Sequence, residues 1–465
     1  MLVSTTAENE KLLFIDDQGL EFTYGDFRSF LDQFEQKIPE GRHLAVLFAR
    51  NSGGSLLSYL ACLESMRVVP LVLDAGMSEE TYKPLLECYK PELVFAPAGH
   101  AALEGGQELF SFHDYELRQT GAEPCELFAD LGLLLSTSGS TGDSKLVRLS
   151  YSNILANAQS IVEYLEIDSH ERAVTSLPMN YTYGLSVINS HVLAGATLLL
   201  TDVSVLQRPF WDFMSEQAAT SFAGVPYTYQ MLKRLRIMQM DLPALKTLTQ
   251  AGGRLGPELH EEFGRWAAET DRRFFIMYGQ TEATARMSYL PWDKCLDKVG
   301  SIGIAIPGGR FDLLDEDGTA VESGEDGELV YTGANVSLGY ARTREDLAKG
   351  DEREGVLHTG DIARCDEDGY YYVTGRASRF LKLFGKRTNL VSCEEMVEHK
   401  FGCTCVCSGH DDLLVAYVTQ EGIEDDVRSY LSESLGVHPS AVRSRYIAEI
   451  PRSSSGKVLY SELEL

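Results

Sequence analysis

The segment best equipped for chemistry runs from Leu135 to Lys145 and reads LSTSGSTGDSK. Six hydroxyl residues, two glycines and a lysine fall within eleven positions, directly after the apolar run Leu131–Leu135. Glycines let the backbone turn tightly and aim its N–H groups inward, hydroxyls add donors, and Lys145 adds a positive charge. A polyphosphate needs this combination. The segment is not a Walker A loop, because Ser144 stands where the second glycine of that motif would be. A Ser/Gly-rich surface linker has the same composition, so the segment alone leaves both readings open. A second group, Cys403, Cys405 and Cys407 with His410 nearby, lies at alternate positions that share one face of a strand. Structural zinc favours C-x₂₋₄-C pairs, so these thiols read as small apolar residues of a buried strand.

Such residues need a scaffold, and the surrounding pattern describes one. His43–Ala49, Val68–Leu73, Glu92–Ala96, Leu131–Leu135, Thr197–Thr201, Ser221–Val225 and Phe274–Met277 are short apolar runs that predict strands. Helical segments intervene. Ser55–Ser65 is one, and Ile154, Leu155, Ala158, Ile161, Val162 and Leu165 recur at helical spacing after Ser150. Alternating strands and helices predict an α/β fold with doubly wound parallel sheets. Beyond about Gly300 the texture changes to short strands and Asp-Gly turns (Phe311–Leu314, Gly327–Tyr331, Tyr370–Val373), which predicts a small β-barrel or hairpin array. The residues from about Ala377 onward predict a small α+β domain, giving domains at 1–376 and 377–465.

Composition limits the partners. The chain has 465 residues and a formal net charge of −28, which argues against nucleic acid or an anionic membrane surface as the main partner. No apolar run approaches the ~20 residues of a membrane helix. The N-terminus lacks the basic and apolar regions of a signal peptide, and nine scattered cysteines fit a reducing compartment. A cytoplasmic enzyme without membrane insertion is expected.

The loop at Thr137–Gly142 with Lys145 resembles the phosphate loop of the adenylate-forming superfamily, whose pattern is roughly T-S-G-[ST]-T-G-x-P-K-G. That superfamily includes acyl- and aryl-CoA ligases, nonribosomal adenylation domains and luciferases. Ser144 and Leu146 replace the usual Pro and Gly. The resemblance continues in the family's order through Pro178–Leu185 (PMNYTYGL), Gly224–Tyr229 (GVPYTY), Ala251-Gly252-Gly253 and Tyr278-Gly279-Gln280-Thr281-Glu282. Gly327–Gly339, His358-Thr359-Gly360-Asp361, Gly375-Arg376 and Pro451–Lys457 complete the series.

The resemblance implies a reaction in which a carboxylate attacks the α-phosphorus of ATP and expels pyrophosphate. Charge builds on the phosphates, so preorganised cations and donors are the main catalytic device. By the same resemblance, Thr137, Ser138, Gly139, Ser140, Thr141, Gly142 and Lys145 hold the β- and γ-phosphates. Glu282 ligates Mg²⁺, Thr281 touches the α-phosphate, Tyr278 and Gly279 border adenine, and Gly252 and Gly253 form the adenine-side turn. Asp361 accepts from the ribose hydroxyls beside Arg376, and Lys457 bridges the acid and the α-phosphate.

The family's C-terminal domain rotates about a hinge that falls at Ser378 here. A loop centred on Gly385 then lines the tunnel for the acceptor thiol, with Glu394 or Glu395 as its acidic neighbour. The acceptor is CoA, or alternatively a carrier-protein phosphopantetheine. A luciferase-like oxygenase and a non-catalytic scaffold are more distant readings. Tyr181, Tyr183, Gly184, Tyr227 and Met277 are the acid-pocket candidates. Asn180 and Tyr181 stand where amino-acid-activating members carry an Asp, which points to a fatty, aryl or small hydroxy or keto acid. Ile276, where such members often carry an Asn, agrees.

Overall fold

The computed structural model describes residues 2–136, 145–315, 317–322, 324–376, 379–384, 386–452 and 458–463. The candidates Thr137, Ser138, Gly139, Ser140, Thr141, Gly142, Ser378, Gly385 and Lys457 lie outside them. The chain divides into two compact units, residues 1–310 with 331–357, and residues 311–330 with 358–465.

The first unit holds two large mixed sheets. In one, Leu131–Ser136, Val68–Asp74, His43–Ala49 and Leu93–Pro97 lie side by side and parallel, flanked by antiparallel strands at both edges. His43–Ala49 is buried at every position, which is why Leu44–Ala49 reads as an uninterrupted apolar run: both faces of a central parallel strand are covered. In the other, Leu12–Asp16, Thr197–Leu200, Arg172–Val174, Ser221–Gly224, Thr247–Gln250 and Arg273–Tyr278 run parallel in that spatial order. Ser288–Leu290 then pairs antiparallel with Arg273–Tyr278.

Helix Tyr151–Leu165 starts where the sequence pattern placed it, and the reason is local. Ser150 accepts from the Asn153 N–H while Asn153 Oδ1 accepts from the Ser150 N–H, both at 2.9 Å, a reciprocal cap for two otherwise orphaned donors. Its apolar face buries Ile154, Ala158, Ile161 and Leu165.

In the second unit, Gly309–Leu314, Gly327–Gly333, Val356–Cys365 and Tyr371–Arg376 form a four-stranded sheet. The short-strand segments group with the C-terminal residues, where the sequence pattern draws a line at 376/377; Asn389 Nδ2 donates to the Thr374 carbonyl at 2.8 Å across that line. Beyond it, Cys405–His410, Leu413–Val418 and Val442–Tyr446 make a three-stranded sheet packed with helices Leu390–Phe401 and Glu424–Leu435. Cys405 and Cys407 face this core as expected, beside Cys393. All nine cysteines are free thiols, and no group of three potential metal ligands forms among the described residues. Glu394 pairs with Arg379 and accepts from the Cys407 N–H, which fixes helix Leu390–Phe401 to the sheet.

Candidate active site

Parallel strands leave their C-terminal edge open, and ligands bind in the crevice there. Thr247–Gln250 leads directly into Gly252-Gly253, and its neighbour Arg273–Tyr278 ends in Tyr278-Gly279, with Gln250 and Ile276 in register. Ser221–Gly224, next along, runs into Pro226-Tyr227. The sheet therefore brings three of the sequence-selected motifs to one edge.

Residues 279–287 form the loop between two antiparallel strands in which Tyr278 pairs with Ser288. The loop is tightly folded. A Cβ on Gly279 would sit 1.7 Å from the Ala285 carbonyl oxygen, so only glycine permits that approach. Thr284 adopts φ +66°, uncommon for a β-branched residue. Its hydroxyl donates to the Asn335 carbonyl at 2.7 Å, Asn335 Nδ2 donates back to the Ala283 carbonyl at 2.9 Å, and the Ser337 N–H donates to the Glu282 carbonyl at 2.8 Å. This segment clamps the loop and holds Thr281 and Glu282 on a short 3₁₀ turn.

Glu282 Oε1 accepts from the Tyr340 hydroxyl at 2.7 Å, while Oε2 makes no hydrogen bond to the described residues. Lys145 Nζ lies 3.5 Å from the centroid of the Tyr340 ring, with Arg353 4.8 Å from the same centroid. Burial, reinforced by the Glu282 carboxylate, pushes the Tyr340 phenol up to about 12, so it remains a donor. Tyr340 thus joins the first residue after the Ser/Gly-rich loop to the candidate metal-binding carboxylate. Sequence reasoning passed over it, although it directly follows Gly339 in a segment already singled out. One half-buried carboxylate suits Mg²⁺, which takes few protein ligands and keeps phosphate and water oxygens. Thr281 Oγ1 lies 3.4 Å from Thr182 Oγ1, and Tyr278 accepts from Gln280 Nε2 at 3.2 Å.

The acid-pocket candidates divide. Tyr181 precedes helix Thr182–Leu193, and its hydroxyl would lie 2.4 Å from a Cβ on Gly252, whose φ is +82°. The bare Gly252 backbone is what lets this phenol reach the adenine-side turn. Burial pushes the Tyr181 phenol up to about 12. Tyr183 is buried, shares a 2.8 Å hydrogen bond with Thr249, and meets the Tyr181 ring edge-on. Met277 is buried with its sulfur 3.1 Å from the Tyr164 hydroxyl. Gly184 answers a packing demand, since its Cβ would fall 2.2 Å from the Pro178 carbonyl. Tyr227 is 41% exposed.

His191, on the same helix, is held near 4 by burial, down from its ordinary 6.5. With the folded value depressed, an unfolded chain takes up the proton first. His191 therefore causes no loss of stability above pH 6.5, and stability falls as pH drops from 6.5 toward 4. His191→Gln is expected to flatten that acid-side decline by up to about 3 kcal/mol, measured by denaturant unfolding across that range.

In the second unit, Asp361 and Arg376 are directly opposite one another on antiparallel strands, with Arg376 Nε 3.3 Å from Asp361 Oδ1. Asp361 is nearly buried and Arg376 is 54% exposed. The Thr359 hydroxyl accepts from the Asp361 N–H at 3.0 Å and donates to the Leu329 carbonyl at 2.6 Å, fixing the turn into the strand.

A family model described as AMP-binding enzyme matches residues 5–341. The chain belongs to that family. It is 28% identical over 445 residues to a 2-succinylbenzoate–CoA ligase of Bacillus cereus, covering 92% of this chain and 88% of the relative. It is 29% identical over 341 residues to a sulfoacetate–CoA ligase of Cupriavidus necator and 28% identical over 369 to a long-chain-fatty-acid–CoA ligase of Salmonella typhimurium. Those matches cover 70% and 76% of this chain, and it spans 65% and 64% of the two relatives' lengths, just under two thirds. Among solved structures, the O-succinylbenzoate coenzyme A synthetase of Bacillus subtilis in complex with AMP superposes with a TM-score of 0.79 at 19% identity, over 98% of this chain and 95% of that one. The AMP-binding enzyme fold is therefore the fold of this chain. No helix among the described residues is long and apolar enough to cross a membrane.

Proposed function

We propose that this AMP-binding enzyme uses ATP to activate a carboxylic acid as its acyl-adenylate, releasing pyrophosphate, and then transfers the acyl group to CoA as a thioester. The observation that carries the reading is the clamped turn bearing Thr281 and Glu282, linked through Tyr340 to Lys145, at the same strand edge as Gly252-Gly253 and Tyr278. A nucleotide lying along that edge would have its adenine by the glycine turn and Tyr278. Its phosphates would lie toward Lys145, with Thr137–Gly142 completing the cradle. Mg²⁺, held by Glu282, would neutralise charge on the departing pyrophosphate. Thr281 would orient the α-phosphate, and Lys457 would stabilise charge as the acid's oxygen attacks. Asp361 and Arg376 would position the ribose.

CoA is favoured over a carrier protein as acceptor because the relatives named above are CoA ligases by name. Residues 377–465 would form the mobile lid that carries Lys457 and, after turning about Ser378, the thiol-side loop at Gly385. A cytoplasmic location fits a CoA-dependent reaction. The relatives' acids range from sulfoacetate to long-chain fatty acids, so the family leaves the acid open.

The deciding experiment is acid-dependent exchange of labelled pyrophosphate into ATP over a panel of acids, with Lys457→Ala in parallel. Exchange with at least one non-amino acid, lost in the variant, is expected. Acid-dependent release of ADP and phosphate in place of AMP and pyrophosphate would overturn the reading.

A further inference from the structure

Arg286 closes the loop that carries Glu282, and its side chain points the other way, into the protein. It is 2% exposed. Its Nε donates to Ser186 Oγ at 3.1 Å and its Nη1 donates to the Tyr164 hydroxyl at 3.1 Å and to the Met277 sulfur at 3.4 Å. The guanidinium carbon lies 5.1 Å from the centroid of the Tyr183 ring. Nη2 makes no hydrogen bond to the described residues, and no carboxylate pairs with this cation among them. Arginine cannot shed its charge, and a buried charge without a counterion costs several kcal/mol. Such an arrangement persists when something else supplies the anion.

The surroundings indicate where that anion would sit. Arg286 lines a small cavity of about 20 Å³, together with Val187, His191, Ser221 and Thr249. The hydroxyls of Ser221 and Thr249 add hydrogen-bonding capacity. His191, neutral near pH 7, supplies no negative charge. Glu171, the one carboxylate among the lining residues, accepts from the Thr220 hydroxyl and makes no ion pair with Arg286. Contacts connect this cavity to the candidate site: Thr249 to the Tyr183 hydroxyl, Tyr183 to the Tyr181 ring, and Tyr181 to the Gly252 turn.

We infer that the acid activated here carries a second anionic group, a carboxylate or a sulfonate at the end remote from the reacting carboxylate, which binds Arg286. The inference rests on the acid-activating function proposed above and names its substrate class. An unsubstituted fatty tail would leave the guanidinium buried against hydrocarbon, whereas a second oxyanion accepts from Nη2 and neutralises the charge.

The test compares matched acids of equal length, straight-chain dicarboxylates and ω-sulfonated acids against the plain monocarboxylates, in pyrophosphate exchange with wild type, Arg286→Lys and Arg286→Met. The wild type is expected to favour one doubly anionic acid over its plain counterpart by about 10²-fold or more in kcat/KM. Arg286→Met should abolish that preference and shift the best substrate toward monocarboxylates, and Arg286→Lys should keep part of it. Thermal unfolding of each variant checks folding, and if Arg286→Met does not fold, the wild-type preference decides alone. A wild type that exchanges with plain monocarboxylates as well as or better than with their anionic counterparts would overturn the inference and leave adenylation standing. Absence of exchange with every acid would remove both.

Discussion

Glu282→Gln is expected to lower acid-dependent pyrophosphate exchange by about 10²-fold or more while leaving the unfolding midpoint nearly unchanged. The asymmetry follows from what the side chain touches. In the folded protein Oε1 accepts one hydrogen bond, from Tyr340, and the amide oxygen of glutamine can accept it too. The backbone of Glu282 is held by Ser337 whatever the side chain is. What the variant loses is a formal negative charge at the site proposed for the cation, where preorganised electrostatics supply most of the rate. Raising Mg²⁺ should recover part of the activity, and exchange assays across a magnesium titration would reveal it. Equal activity of variant and wild type at every magnesium concentration would remove Glu282 from the metal site. Tyr340→Phe makes the milder companion, since it removes one hydrogen bond to a charged group and keeps the ring beneath Lys145.

Gly279→Ala should have the opposite signature, with a loss of the site through loss of structure. The added methyl would lie 1.7 Å from the Ala285 carbonyl oxygen and 2.8 Å from the Arg286 Cα. Both are backbone atoms that cannot swing aside as a flexible side chain would. The loop must open, and its clamps to Asn335 and Ser337 must break with it. A destabilisation of about 3 kcal/mol or more is expected, in the range of strongly disruptive core changes, with exchange activity falling even where the protein remains folded. Chemical denaturation gives the first quantity and exchange the second. Gly279→Ala with wild-type stability would mean that the loop relaxes freely and that its tight fold is not what positions Glu282.

Much of this was legible in the residue order, for reasons that differ between parts. The central strands announced themselves because both faces are covered, so Leu44–Ala49 and Val68–Leu73 are apolar throughout. Helix Tyr151–Leu165 was readable from its apolar spacing, whereas the reciprocal cap by Ser150 and Asn153 emerged only from the structure. The short edge strands Glu21–Thr23 and Ile304–Ala305 left no such trace, because neither contains a buried residue. Within the candidate site, Tyr278, Thr281 and Glu282 were singled out because they fall in one short motif, and contiguous motifs survive in a one-dimensional reading. Tyr340 and Arg286 were missed because their roles arise from proximity in space: Tyr340 is 58 residues from Glu282, and Arg286 is 100 residues from Ser186. Gly184 was named as an acid-pocket candidate, and its close approach to the Pro178 carbonyl is a feature that only the fold reveals.

The pairing of Asp361 with Arg376 has a consequence for how the family can vary. Register along this hairpin slips by one residue between Ile362 and Ala363. On the far side Ala363 faces Val373, and continuing that register would set Asp361 against Gly375; the slip sets it against Arg376 instead. Natural drift can therefore rewrite Glu367 and Asp368 in the Asp366–Gly369 turn more readily than Asp366, which accepts from two N–H groups, or Gly369 at φ +84°, and it cannot change their number. A single-codon insertion or deletion there would move the arginine off its aspartate and turn it to the opposite face of the sheet. Among descendants of this gene, length at that turn should be invariant where spelling is not.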